Sequence, residues 1–207
     1  MDKEDGIFMK IMKQKIKLLC PQLIFLIVTF CIFMPSSLFL GNLDEFAVGF
    51  TALIPLLMAA SLITAAVVIL IGLIVPKKIC NIYAAVIFGG ALAAYVQGNF
   101  LNPDFGVLNG RQIQWSQFKV NGIISTVVWI VLIVVPAVIV CFKKDIMTNI
   151  IKWGSLFLSS IQVVTLVVLI VSSKRSVDYS YVVTKNDEFA LSSQGNVVAV
   201  SYTHLRA

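Results

Sequence analysis

Five apolar runs, at residues 18–40, 50–75, 80–96, 122–142 and 150–172, take up most of this 207-residue chain, and no Asp, Glu, Lys, Arg or His stands in the interior of any of them. A helix needs about 20 residues to cross a hydrocarbon core of about 30 Å. Inside lipid no water is available to backbone N–H and C=O groups, so each segment must satisfy its own, and a helix does this. The runs therefore predict an all-α membrane protein, a five-helix transmembrane bundle. A chain that is 59% hydrophobic and 13% charged, with a mean hydropathy of +0.96, is too apolar for an ordinary soluble domain.

The net charge of +6 could point to nucleic acid or to an anionic surface. The charges sit at the ends of the runs, however, and mark topology rather than a nucleic-acid partner. With the N-terminus inside, the inner face receives ten basic residues: Lys3, Lys10, Lys13, Lys15, Lys17, Lys77, Lys78, Lys143, Lys144 and Lys152. The outer face receives five: Arg111, Lys119, Lys174, Arg175 and Lys185. The positive-inside rule favours this orientation, with the C-terminus outside. The expected partner is the lipid bilayer, and the expected location a cell membrane crossed several times.

Residues 1–17 read as a basic cytoplasmic terminus. The first run is too long for a signal-peptide core, lacks an A-x-A-like cleavage site and admits Pro21 in its first turn, so it is expected to stay as a membrane helix. The third run is rich in small residues. Ser61 and Ala65 on the second run, with Gly90 and Ala94 on the third, have small-xxx-small spacing and predict a tight hairpin of the two. In the fourth run Pro136 should kink the helix. Gln162 is the one strongly polar side chain near the middle of a span, and suits either an interhelical hydrogen bond or a substrate contact.

Residues 99–121 form an extracytoplasmic loop, the one long polar interval between runs. It carries turn chemistry at Asn102-Pro103-Asp104 and Asn109-Gly110, with aromatic residues of the kind that sit at a membrane–water boundary. Arg111, Gln112, Gln114 and Lys119 are the candidates here, either docking a further domain or an anionic headgroup, or simply forming a solvated face.

Cys20, Cys31, Cys80 and Cys141 show no CxxC spacing and have no companion histidine, so they read as small apolar filler with no metal or disulfide role. The sequence offers no catalytic, cofactor-binding or metal-binding residue.

From residue 173 the composition turns polar, an extracytoplasmic linker over 173–196. Residues 197–200, Val-Val-Ala-Val, read as the first strand of an α/β domain that the chain does not continue. Residues 201–207, SYTHLRA, resemble the translation of a transposase-based sequencing adapter and are expected to be non-biological. The chain's one histidine, His204, lies among them.

The pattern GNFLNPDFGVLNGRQIQWSQF between two spans, then two more spans, then NDEFALSSQGNVVAV, resembles the N-terminal membrane domain of bacterial sulfatase-like hydrolases of the alkaline phosphatase superfamily. More distantly it is similar to lipoteichoic acid synthases. The resemblance implies a membrane anchor for an extracytoplasmic hydrolase or phosphoglycerol-type transferase acting on sulfate or phosphate esters of the cell envelope. It also implies a divalent metal in a catalytic domain beyond this sequence, and that domain as a partner. The competing expectations are a small transport-related protein and a structural subunit.

Overall fold

The computed structural model describes residues 3–43, 46, 48–103 and 115–173, and every regular element among them is helical. The elements are α1 (Lys3–Leu26), α2 (Met34–Gly41), α3 (Ile54–Ile74), α4 (Cys80–Phe100), α5 (Lys119–Phe142) and α6 (Lys144–Ser172). Five of the resulting rods are long and apolar enough to cross a membrane: Met9–Gly41, Phe50–Ile74, Cys80–Phe100, Trp115–Phe142 and Lys144–Ser172. The protein is an all-α membrane bundle.

The first rod joins α1 to α2 through a π-helical turn, Ile27–Phe33, whose exit is marked by the bond from the Met34 N–H to the Thr29 carbonyl. Pro35 stands just past that exit. Its ring crowds the carbonyl four residues back and supplies no N–H, and widening the preceding turn relieves both faults. The rod is helical from Lys3, so the basic segment and the first span share one helix, and Pro21 lies inside that helix rather than in its first turn. Beside it the buried Gln22 amide, turned with its nitrogen toward the chain, donates to the Leu18 and Leu19 carbonyls of its own helix and so satisfies its N–H groups away from water.

The order of packing departs from the expected hairpin. α3 lies on α1 and the π turn, whereas α4 packs most extensively on α5 and also touches α1 and α6. The cause is visible at Gly89. A Cβ there would lie 2.8 Å from the Ile133 Cα and closer still to the Leu132 carbonyl oxygen, so the α5 backbone rests on that glycine. Gly90, one residue round the helix, has nothing within 4 Å of the equivalent position. The small residues of α4 do permit close approach, but the helix that uses it is α5. α3 and α4 meet near their shared turn, where the Tyr83 hydroxyl donates to the Val68 carbonyl at 3.1 Å.

α4 is the central helix. Ala84, Ala85, Ala91, Ala93 and Ala94 are buried along it, and Phe88 meets Phe25 with ring centroids 5.8 Å apart. Val140, Met147 and Ile151 close that cluster from α5 and α6. The outward faces of α3, α5 and α6 are rows of exposed Val, Ile and Leu, the surface a bilayer covers. α5 runs unbroken through the buried Pro136.

Candidate functional site

The polar residues that the bundle buries lie on two facing stripes. Gln22, Thr29 and Ser36 recur two turns apart on the first rod, while Ser155, Ser159 and Gln162 follow one another at helical spacing on α6. Five of the six are fully buried, with Ser159 at 5% exposure. Such spacing keeps a stripe on one face of a helix, and α1 and α6 pack along each other. At the centre Thr29 meets Gln162. The Thr29 hydroxyl donates to Gln162 Oε1 at 3.1 Å, and Gln162 Nε2 donates to Thr29 Oγ1 at 3.0 Å, so one hydroxyl faces both ends of the amide.

The Ser159 hydroxyl donates to the Ser155 carbonyl at 2.7 Å, whereas the Ser36 and Ser155 hydroxyls are buried without a protein partner. The seam holds hydroxyls and amides only. None of these changes charge in the ordinary pH range, so it can bond and orient but cannot relay protons by acid–base steps.

Two open grooves lie at the end of the bundle where α2 and α4 finish and α5 begins. One, of about 490 Å³, is bounded by residues from Phe33 to Asn42 on one side and from Gly98 to Asn102 on the other. The other, of about 280 Å³, lies between the end of α4 and the start of α5. Beside it the Ser125 hydroxyl donates to Gln97 Oε1, tying α5 to α4.

At the opposite end the connection between α3 and α4 is clasped to α1. Lys15 Nζ donates to the Leu73 and Val75 carbonyls at 2.8 and 2.6 Å, and Lys77 Nζ donates to Gln14 Oε1 at 3.1 Å. A cation here meets the partial negative charge of the α3 C-terminus.

Of the residues expected from sequence to carry function, Gln162 is the one inside the bundle. Lys119 opens α5, exposed, on a flank shared with Ile123 and Thr126. Arg111, Gln112 and Gln114 lie outside the described residues, as do the linker and the strand-like run 197–200. Cys31 and Cys80 are buried and Cys20 and Cys141 exposed, all as free thiols, with Cys31 Sγ 3.4 Å from Thr64 Oγ1. Among the described residues no three His, Cys, Asp or Glu side chains come together as metal ligands would. The remaining members of the seam, and Lys15, went unsingled in the sequence. The recurrence of Gln22, Thr29 and Ser36 on one helical face was the signal available for half of it.

The chain matches no protein-family model, no curated protein and no solved structure.

Proposed function

We propose that this chain is the membrane domain that anchors an extracytoplasmic sulfatase-like hydrolase or phosphoglycerol-type transferase, acting on sulfate or phosphate esters in the cell envelope. One observation supports an anchor over a conduit: the most polar side chain in the middle of the bundle, Gln162, is bonded to Thr29 and sealed from solvent instead of lining an opening. Transport pathways ordinarily expose ionisable or polar groups to a water-filled cavity. Here the polar groups hold α1 to α6, and small residues hold α4 to α5, the construction of a fixed frame.

Consecutive spans alternate in direction, so the end of α6 emerges on the same side as the connection between α4 and α5. A domain following α6 would then sit beside that loop, where Arg111, Gln112, Gln114 and Lys119 are placed by sequence to meet it. The described residues do not fit a divalent metal, so the ion such a hydrolase requires would be held by the catalytic domain, and no chemical step is assigned to this bundle.

The genomic reading frame decides the proposal. Sequencing the locus past codon 199 from a library prepared without transposase adapters should extend the frame by several hundred residues, about the size of one or two α/β domains. It should also encode Asp and His ligands and a Thr, Ser or Cys nucleophile. A frame that closes promptly with residues 201–207 intact would favour a small structural membrane protein instead.

A further inference from the structure

Lys10, Lys13 and Lys17 line an open groove of about 430 Å³ along α1, together with Gln14. All three lysines are exposed, and among the described residues lining the groove there is no acidic side chain. Successive helical residues turn by about 100°, so the three fall within about 60° of one another. Like charges at such spacing repel along a helix, a cost that an anion held among them removes. Lys77 Nζ, donating to Gln14 Oε1 at 3.1 Å, brings a fourth cation to the rim.

Marking orientation does not account for this face. The positive-inside rule counts basic residues near the ends of spans and is indifferent to the side of the helix they occupy. Lys15, on another side of α1, donates to the Leu73 and Val75 carbonyls, at the level where the α3 rod ends. Lys13 and Lys17 flank Lys15 in sequence and so straddle that level, the boundary where lipid headgroups begin. Further along α1 the same stripe turns apolar. Cys20 and Ile24 continue the spacing of residues 10, 13 and 17 within an arc of about 80°. Both are exposed, Ile24 at 40%.

We propose that this stripe binds an anionic phospholipid, its phosphodiester among Lys10, Lys13 and Lys17 and an acyl chain laid along Cys20 and Ile24. Each lysine ammonium carries donors and no acceptor, the complement of the non-bridging phosphate oxygens. A choline or ethanolamine headgroup has the same phosphate but returns a cation to a face that already holds three. A glycerol headgroup returns none. The occupant is a lipid and not free phosphate, because the basic groove runs without a break onto the membrane-facing side of the first rod, where only an acyl chain has anything to contact. The site goes beyond the anchoring role and holds whichever domain the bundle carries.

Native mass spectrometry of the delipidated full chain, titrated with phosphatidylglycerol, phosphatidylcholine and phosphatidylethanolamine of matched acyl chains, tests it. A lysine near an anionic lipid surface is worth about fivefold in binding, so the glycerol lipid should bind on the order of tenfold more tightly than either zwitterionic lipid. Lys13→Gln combined with Lys17→Gln should bring that ratio to within about twofold. Lys143→Gln combined with Lys144→Gln removes the same charge at exposed positions outside the groove and should preserve the preference. Inorganic phosphate at the lipid's concentration should not displace the bound glycerol lipid. Equal binding of the three lipids by the unmodified chain overturns the proposal. So does a preference that survives loss of Lys13 and Lys17, that falls equally with Lys143 and Lys144, or that yields to phosphate. The ranking by the unmodified chain stands whether or not the variants fold.

Discussion

The α-carbon of Gly89 is covered by α5 so closely that a methyl group added to it would lie 2.8 Å from the Ile133 Cα. The obstructing atoms are backbone, which cannot rotate aside as a side chain can. Gly89→Ala should therefore push α4 and α5 apart and cost about 1–3 kcal/mol, the range for overpacking a filled interior. Gly90→Ala meets open space and should be neutral, or stabilise by up to about 1 kcal/mol through helix propensity. Denaturation of the purified variants in mixed detergent micelles distinguishes them. Equal stabilities would mean that α5 is not seated on Gly89.

The Thr29–Gln162 pair predicts non-additivity. Thr29→Val leaves the buried Gln162 amide without its partner, costing about 1–3 kcal/mol, whereas Gln162→Leu should cost less because the Thr29 hydroxyl can turn to a carbonyl of its own helix. The double variant removes both polar groups together and should be milder than the sum of the two. The coupling should be about 0.6–1.7 kcal/mol, the size found for hydrogen bonds between membrane helices. A double-mutant cycle on unfolding free energy measures it, and a coupling near zero would mean that the two side chains do not share a bond.

Ser155 offers the contrasting case on the same stripe. Its buried hydroxyl has no protein partner, so Ser155→Ala discards a desolvated polar group without orphaning another. The variant should match or exceed the parent in stability, by about 0–1 kcal/mol on the same scale. A marked loss in the same micelle assay would reveal a bond made by that hydroxyl.

These contrasts show what sequence could and could not convey. Five spans were legible because their length and uninterrupted apolar character leave no other fold in lipid. The small residues of α4 announced that another backbone would come close. They did not say which one, since Gly89 and Gly90 are neighbours in sequence yet face directions about 100° apart on a helix. Gln162 stood out because an amide in mid-span must find a partner. Thr29 did not, because a threonine in a helix can bond its own preceding turn and need reach nowhere else. Lys15 passed as one of several lysines marking orientation, although it bonds two carbonyls at the far end of α3. Nothing local to residue 15 encodes that contact, which depends on where α3 ends against α1.

Lys15 should therefore matter beyond its charge. Lys15→Met keeps most of the aliphatic stem and removes the donor, leaving the Leu73 and Val75 carbonyls without it. The loss should be about 1.5–3 kcal/mol, the net value of hydrogen bonding to a charged group. Lys15→Arg, which keeps a cation at the helix C-terminus, should recover most of it, whereas Lys17→Met should change little, since Lys17 is exposed. If Lys15→Met and Lys17→Met unfold alike, the clasp between α1 and α3 contributes nothing to stability.

Orientation can be tested at the two ends of the bundle with single cysteines in a background whose four native cysteines are replaced. Native Cys80 is a poor reporter, being buried at 2% exposure, and would resist a reagent from either side. Asn102 and Lys78 are both exposed, Asn102 after the end of α4 and Lys78 in the turn before its start, so they lie at opposite ends of one helix. The lysines clustered at the Lys78 end favour the cytoplasm, because basic residues flanking spans are retained there. An impermeant maleimide applied to intact cells should label Asn102→Cys and leave Lys78→Cys untouched until the cells are permeabilised. The reverse pattern would place the end of α6, and any domain carried on it, in the cytoplasm, and an extracytoplasmic hydrolase could not be what this bundle anchors.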